Sequence, residues 1–209
     1  IMPVIPIYST FMQRAYDNIF HDILLQNLPV LLCMDRAGLV GPDGPTHHGI
    51  FDISMLNSFP NIVISAPKDG NELRDLIYTG IINQKAMSIR YPKENCKFYD
   101  SNVNPGKINI GEWEYLAKGN DIAILAVGSM VKRCSNILDQ LNKNLGVNIT
   151  LVNARFIKPL DTTILNNIKE NHNCIFTFEE GCEIGGFGMS VLRFYSMKPN
   201  SPKVFIKGI

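Results

Sequence analysis

Short apolar runs alternate along the chain with stretches in which apolar residues recur every three or four positions. This alternation predicts strands interleaved with helices in a parallel α/β arrangement. The spacing of Phe11, Ala15, Ile19, Ile23 and Leu24 predicts a first helix over residues 11–26. A continuous apolar run over 28–34 follows and reads as a strand buried on both faces. Further strands are expected at 61–65 and 86–90, with a helix over 71–82 between them, and Tyr91 and Pro92 end the second of these strands. Beyond a polar tract over 93–111 a second series begins. Strands at 121–127, 148–152 and 174–178 alternate there with helices over 130–145, 161–169 and 185–195, and 203–209 has strand character. The expected fold is therefore α/β, with two open, mainly parallel sheets in residues 1–95 and 112–209 and a linker at 96–111.

Composition narrows the function classes. With 45% apolar and 19% charged residues, the 209-residue chain can bury a real core. Twenty basic against nineteen acidic residues leave a formal +1, without the basic excess of a general polyanion binder, so no nucleic-acid partner is expected. No apolar run approaches the roughly 20 residues of a membrane helix, and no membrane partner is expected either. Five scattered cysteines show no CxxC or Cys/His ligand spacing, the usage of a reducing compartment such as a bacterial cytoplasm or a plastid stroma. The first residues read as the middle of a structured chain and the last as a strand with nothing after it. Both ends are therefore expected to be cuts.

The densest candidate chemistry lies at 35–49, a loop too long for a mere connector and placed where a parallel sheet exposes its ligand edge. Arg36 can grip a phosphate or carboxylate, Asp43 can orient a hydroxyl, and His47 can donate or accept a proton. The alternative is a solvated loop with turn glycines and a capping aspartate. His47 and His48 are adjacent and lack a second ligand cluster, so no metal site is expected. Phe11 reads either as a core aromatic or as a stacking platform, and Arg14 as an ordinary surface charge. Arg90 closes an apolar strand at the same ligand edge. The glycines at 181–188 do not match the dinucleotide spacing and are read as close helix-to-strand packing.

Several segments carry a resemblance to a known family. These are residues 8–17 (YSTFMQRAYD), 35–38 (DRAG), 43–52 (DGPTHHGIFD) and 89–92 (IRYP), with 153–161 (NARFIKPLD) and 179–181 (EEG) further on. The chain resembles the 1-deoxy-D-xylulose-5-phosphate synthase family, transketolase-like enzymes dependent on thiamine diphosphate, over essentially its whole length. The resemblance implies the later part of a pyrimidine-binding domain in residues 1–95 and most of a transketolase-type C-terminal domain in 112–209. It implies a transferase of isoprenoid precursor synthesis, which condenses pyruvate with glyceraldehyde 3-phosphate and releases CO₂.

Residue by residue, the same resemblance makes Phe11 the ring stacked on the cofactor's aminopyrimidine, with Tyr8 beside it. Tyr8, Arg14, Asp43 and His47 are the implied catalytic residues, and Arg36 and Arg90 the implied phosphate clamp. The cofactors implied are thiamine diphosphate and Mg²⁺, whose diphosphate and metal ligands, with the activating glutamate, are expected in an N-terminal region upstream of Ile1. The implied partners are that N-terminal domain and a second copy in a homodimer. The chain alone is expected to be inactive. The alternatives are the C-terminal half of a transketolase, a subunit like the β chain of 2-oxo acid dehydrogenases, or a non-catalytic dimerisation module.

Overall fold

A computed structural model describes residues 1–96 and 99–209. The linker expected at 96–111 includes Lys97 and Phe98, which lie outside the described residues. The first sheet begins with β1 (Val4–Tyr8), a 3₁₀ segment (Ser9–Ala15), α1 (Tyr16–Asn18), a π-helical segment (Ile19–Leu24) and β2 (Leu31–Asp35). It continues through α2 (Asp52–Asn57), β3 (Val63–Ser65), α3 (Gly70–Asn83) and β4 (Met87–Arg90). The later half contributes β5 (Glu114–Ala117), β6 (Ile122–Ala126), α4 (Ser129–Leu145), β7 (Ile149–Asn153), β8 (Phe156–Lys158), α5 (Thr162–Asn171), β9 (Cys174–Phe178), α6 (Phe187–Ser196) and β10 (Lys203–Lys207).

The strands form two five-stranded sheets, in the orders β1-β2-β4-β3-β8 and β10-β9-β6-β7-β5. Each is parallel except for one edge strand, β8 in the first and β5 in the second. This is the expected α/β class. Central strands are apolar on both faces, as helical cover on each side requires: every residue of β7 is buried, as are Leu31, Leu32, Cys33 and Met34 of β2.

Sheet membership does not follow the halves of the chain. The strand β8 lies far beyond the linker yet pairs antiparallel with β3, Ile64 opposite Lys158 and Ser65 opposite Phe156. A partly buried polar network adds a second link. The Asn153 amide donates to Glu72 (2.9 Å) and Glu114 (3.1 Å), Arg155 pairs with both carboxylates at 3.3 Å, and Lys68 pairs with Glu114. Burial pushes the Glu72 carboxyl up, against the pull of Arg155 and the Lys68 amide.

The first helix differs from expectation. In place of a regular α-helix over 11–26, the backbone passes from 3₁₀ through one α turn into π geometry. The reason lies in which side chains it must bury. Ile19 and Leu24 are both 2% exposed and five residues apart, a separation that falls on one face only when the turn widens to i→i+5. Phe11, counted among the apolar positions of that helix, stays 41% exposed. The strands β1, β5 and β8 and the short α2 are additions to the expected set.

Candidate active site

Parallel register assembles the site. The pairing of Tyr8 with Asp35 and of Met34 with Arg90 brings the C-terminal ends of β1, β2 and β4 to one edge. Tyr8, Arg36, Arg90 and Tyr91 all follow or close those strands, at the edge where open α/β sheets bind ligands.

The 3₁₀ segment sets the aromatic face. Residues three apart eclipse one another in 3₁₀ geometry, so Phe11 and Arg14 share one side of the segment, and Tyr8, the last residue of β1, meets Phe11. The rings of Tyr8 and Phe11 stack at 5.4 Å with 15° between planes. His47 stands edge-on to Phe11 at 5.4 Å and 66°, and its Nδ1 bonds the Thr46 hydroxyl at 3.0 Å. Thr10 Oγ1 donates to the Thr46 carbonyl at 3.2 Å and so ties this segment to the loop carrying His47. Arg14 is exposed on the same segment.

The loop returns on itself through paired backbone bonds between Gly38 and Gly49 (2.7 and 2.9 Å), while the Ala37 amide donates to the Tyr91 carbonyl at 3.0 Å. Position 49 must be glycine, since a Cβ there would lie 2.5 Å from both the Arg36 carbonyl oxygen and the Ser9 side chain. Arg36 occupies the left-handed region (φ +53°), a conformation non-glycine residues hold only where surroundings enforce it. Its guanidinium lies 3.9 Å over the Tyr8 ring and donates to Asp35 (3.0 Å) and Asp43 (3.2 Å). Lys93 Nζ donates to both Asp43 oxygens, at 2.6 and 2.7 Å. The Lys93 ammonium, joined by Arg36, holds the Asp43 carboxyl below the usual carboxylate range.

Arg90 sits apart from this group. It is 4% exposed, its Nε donates to Asp52 Oδ2 at 2.8 Å, and its Nη2 donates to the carbonyls of Gly49 (3.3 Å) and Glu180 (2.9 Å). The structure thus brings Tyr8, Phe11, His47, Arg36 and Asp43 together, places Arg14 on the same side, and joins Arg90 to the group through the Gly49 backbone. Sequence reasoning missed Lys93 and Asp52. Lys93 lay in a polar tract without periodicity, and Asp52 was visible only as the last letter of the 43–52 motif.

The second sheet reaches the site through residues 179–188. Glu179 accepts the Phe187 and Gly188 amides at 2.8 Å each, an anion at the start of α6. A Cβ at Gly186 would stand 2.6 Å from that carboxylate and 2.4 Å from the Cys182 carbonyl, so this glycine serves close packing. Beside the loop, a cleft of about 560 Å³ runs from Asp35, Tyr91 and Lys93 to the starts of α3 and α4. Among the described residues no group of three or more His, Cys, Asp or Glu side chains can hold a metal ion. None of their helices is long and apolar enough to cross a membrane.

Two family models match the chain: transketolase, pyrimidine binding domain, over residues 1–97, and transketolase, C-terminal domain, over 111–201. The chain belongs to the transketolase family. Its curated relatives carry a more particular name, 1-deoxy-D-xylulose-5-phosphate synthase. The protein from Aquifex aeolicus is 46% identical over 207 residues, covering 99% of this chain and 33% of the relative. Those from Syntrophus aciditrophicus and Shouchella clausii are each 47% identical, covering 93% and 94% of this chain and 30% and 31% of the relatives. The chain thus spans about a third of the length of these proteins. Among solved structures, a split gene transketolase described as an inactive beta4 tetramer matches with a TM-score of 0.86. At 23% identity, over 99% of this chain and 67% of that one, it speaks to the fold.

Proposed function

We propose that this chain supplies the pyrimidine-binding and C-terminal parts of a 1-deoxy-D-xylulose-5-phosphate synthase, which joins pyruvate to glyceraldehyde 3-phosphate with loss of CO₂. One observation carries the reading. An aromatic face of exposed Phe11 with half-buried Tyr8 and His47 adjoins the Arg36–Asp43 pair at the ligand edge of a parallel sheet. A flat face of that kind suits a heteroaromatic ring, so Phe11 and Tyr8 receive the aminopyrimidine of thiamine diphosphate. When bound, thiamine diphosphate supplies an electron sink for the carbon unit left as pyruvate loses CO₂. Its diphosphate and Mg²⁺ are assigned to parts of the relatives that this chain does not span.

The geometry supports the remaining roles in this reading. Asp43, kept ionised beside Lys93 and Arg36, accepts a hydrogen bond from an acceptor hydroxyl. His47, oriented by Thr46, moves a proton at the reacting oxygen, and Arg14 adds positive charge on the same side. Arg36 and Arg90 bind the acceptor's phosphate, a task suited to guanidinium forks. The protein works as a homodimer in a reducing compartment, bacterial cytoplasm or plastid stroma. Its five free cysteines support the compartment. Tyr16 and Phe20 support the dimer, since they pack on Phe59 yet remain 40% and 36% exposed.

The test is substrate choice by the complete enzyme. Release of CO₂ from pyruvate that requires glyceraldehyde 3-phosphate is the expected result. Turnover of a ketose donor without decarboxylation would instead assign a transketolase.

A further inference from the structure

A buried ion pair at the ligand edge is not explained by stability. Asp52 and Arg90 meet at 2.8 Å with side chains 0% and 4% exposed. Pairs so enclosed spend most of their attraction on desolvation, and apolar replacements of similar shape are often no worse. What this pair does achieve is orientation. Asp52 Oδ1 accepts the Ile53 amide at 2.9 Å at the start of α2, which fixes the carboxylate, and Oδ2 then fixes Arg90 Nε. The carbonyls of Gly49, from the site loop, and Glu180, just past β9 of the other sheet, take Nη2. Three acceptors from three segments thus determine the plane of one guanidinium. None of the bonds among the described residues uses Nη1. Arg36, by contrast, already serves Asp35 and Asp43.

We propose that Asp52 is a positioning residue for acceptor recognition: with the Gly49 and Glu180 carbonyls it locks the Arg90 guanidinium in a socket that presents Nη1 to the phosphate. The inference rests on the reading above that Arg90 takes part in phosphate binding. It gives the C-terminal half a part in substrate selection, through a single backbone carbonyl.

The experiment compares glyceraldehyde 3-phosphate with unphosphorylated glyceraldehyde as acceptors for the complete wild-type enzyme and its Asp52→Asn and Arg90→Met variants. Asp52→Asn is expected to raise KM for the phosphorylated acceptor roughly tenfold to a hundredfold, the scale of loss when a metal-ligating side chain is deprived of its orienting partner. The Ki of inorganic phosphate should rise by a similar factor, with kcat, KM for pyruvate and use of glyceraldehyde little changed. If Arg90→Met abolishes the phosphate preference while Asp52→Asn keeps it, the positioning role is overturned and the phosphate role stands. If Arg90→Met keeps the preference, the phosphate role itself falls. Should Asp52→Asn not fold, a crystal structure of the wild-type enzyme with inorganic phosphate decides. A phosphate oxygen on Nη1 with the Asp52 pair intact supports the proposal, and phosphate elsewhere, or a broken pair, overturns it.

Discussion

Asp43 shows how one side chain in the site depends on residues distant in sequence. Its carboxyl lies below the usual range because of Lys93 first and Arg36 second, against some desolvation. A lowered folded value means that its stabilising contribution is complete above the ordinary carboxylate value near 4 and is lost as pH falls through the lowered one. Lys93→Met removes the larger cause. The Asp43 carboxyl carbon, followed by NMR, should then titrate at higher pH than in the wild type, and an unchanged titration would contradict the pairing. Tyr8, Phe11, Arg36, Asp43 and His47 were legible because motif and loop length marked them. Lys93 was not, because a bond to a partner 50 positions earlier leaves no local pattern.

At the scale of elements, the central strands and long helices were legible, since apolar runs and helical spacing report burial directly. The kind of first helix was not. Periodicity shows that a segment coils, whereas the turn width is decided by which side chains the core accepts. Leu24, 2% exposed in the π turn, and Leu25, 63% exposed, test this. Leu24→Ala should cost about 2–5 kcal/mol in urea unfolding, and Leu25→Ala less than about 0.5 kcal/mol. Equal losses would favour a regular α-helix.

The end of α5 carries a pH-dependent element. His172 is buried with Nε2 bonded to the Thr150 hydroxyl at 2.9 Å, and burial lowers its pKa, against the backbone carbonyls and Asp121. With the folded value depressed, its contribution is complete above the ordinary histidine value near 6.5 and is lost as pH falls through the lowered value. Between pH 7 and 5 the wild type should lose more stability than His172→Gln, as read by urea midpoints. Parallel losses would show that the imidazole is not held neutral.

On the scale of the whole molecule, the two mainly parallel sheets were legible and their stitching was not. A three-residue strand such as β8 carries too short a pattern to announce that it will join the other half's sheet, and the Glu72, Glu114, Asn153 and Arg155 network is assembled from three separate segments. Together these links make the C-terminal half a support for the site edge rather than an appended domain. The aromatic face meanwhile remains open, with Phe11 41% exposed. The central claim is that this face is one side of a thiamine diphosphate site completed by the rest of the synthase. Titration calorimetry with thiamine diphosphate and Mg²⁺ tests it most directly, performed on this chain alone and on the chain joined to the N-terminal region of a synthase. Saturable binding only in the joined protein, weakened tenfold or more by Phe11→Ala, is the predicted result. Tight binding by the chain alone, or binding in the joined protein that ignores Phe11, would contradict it.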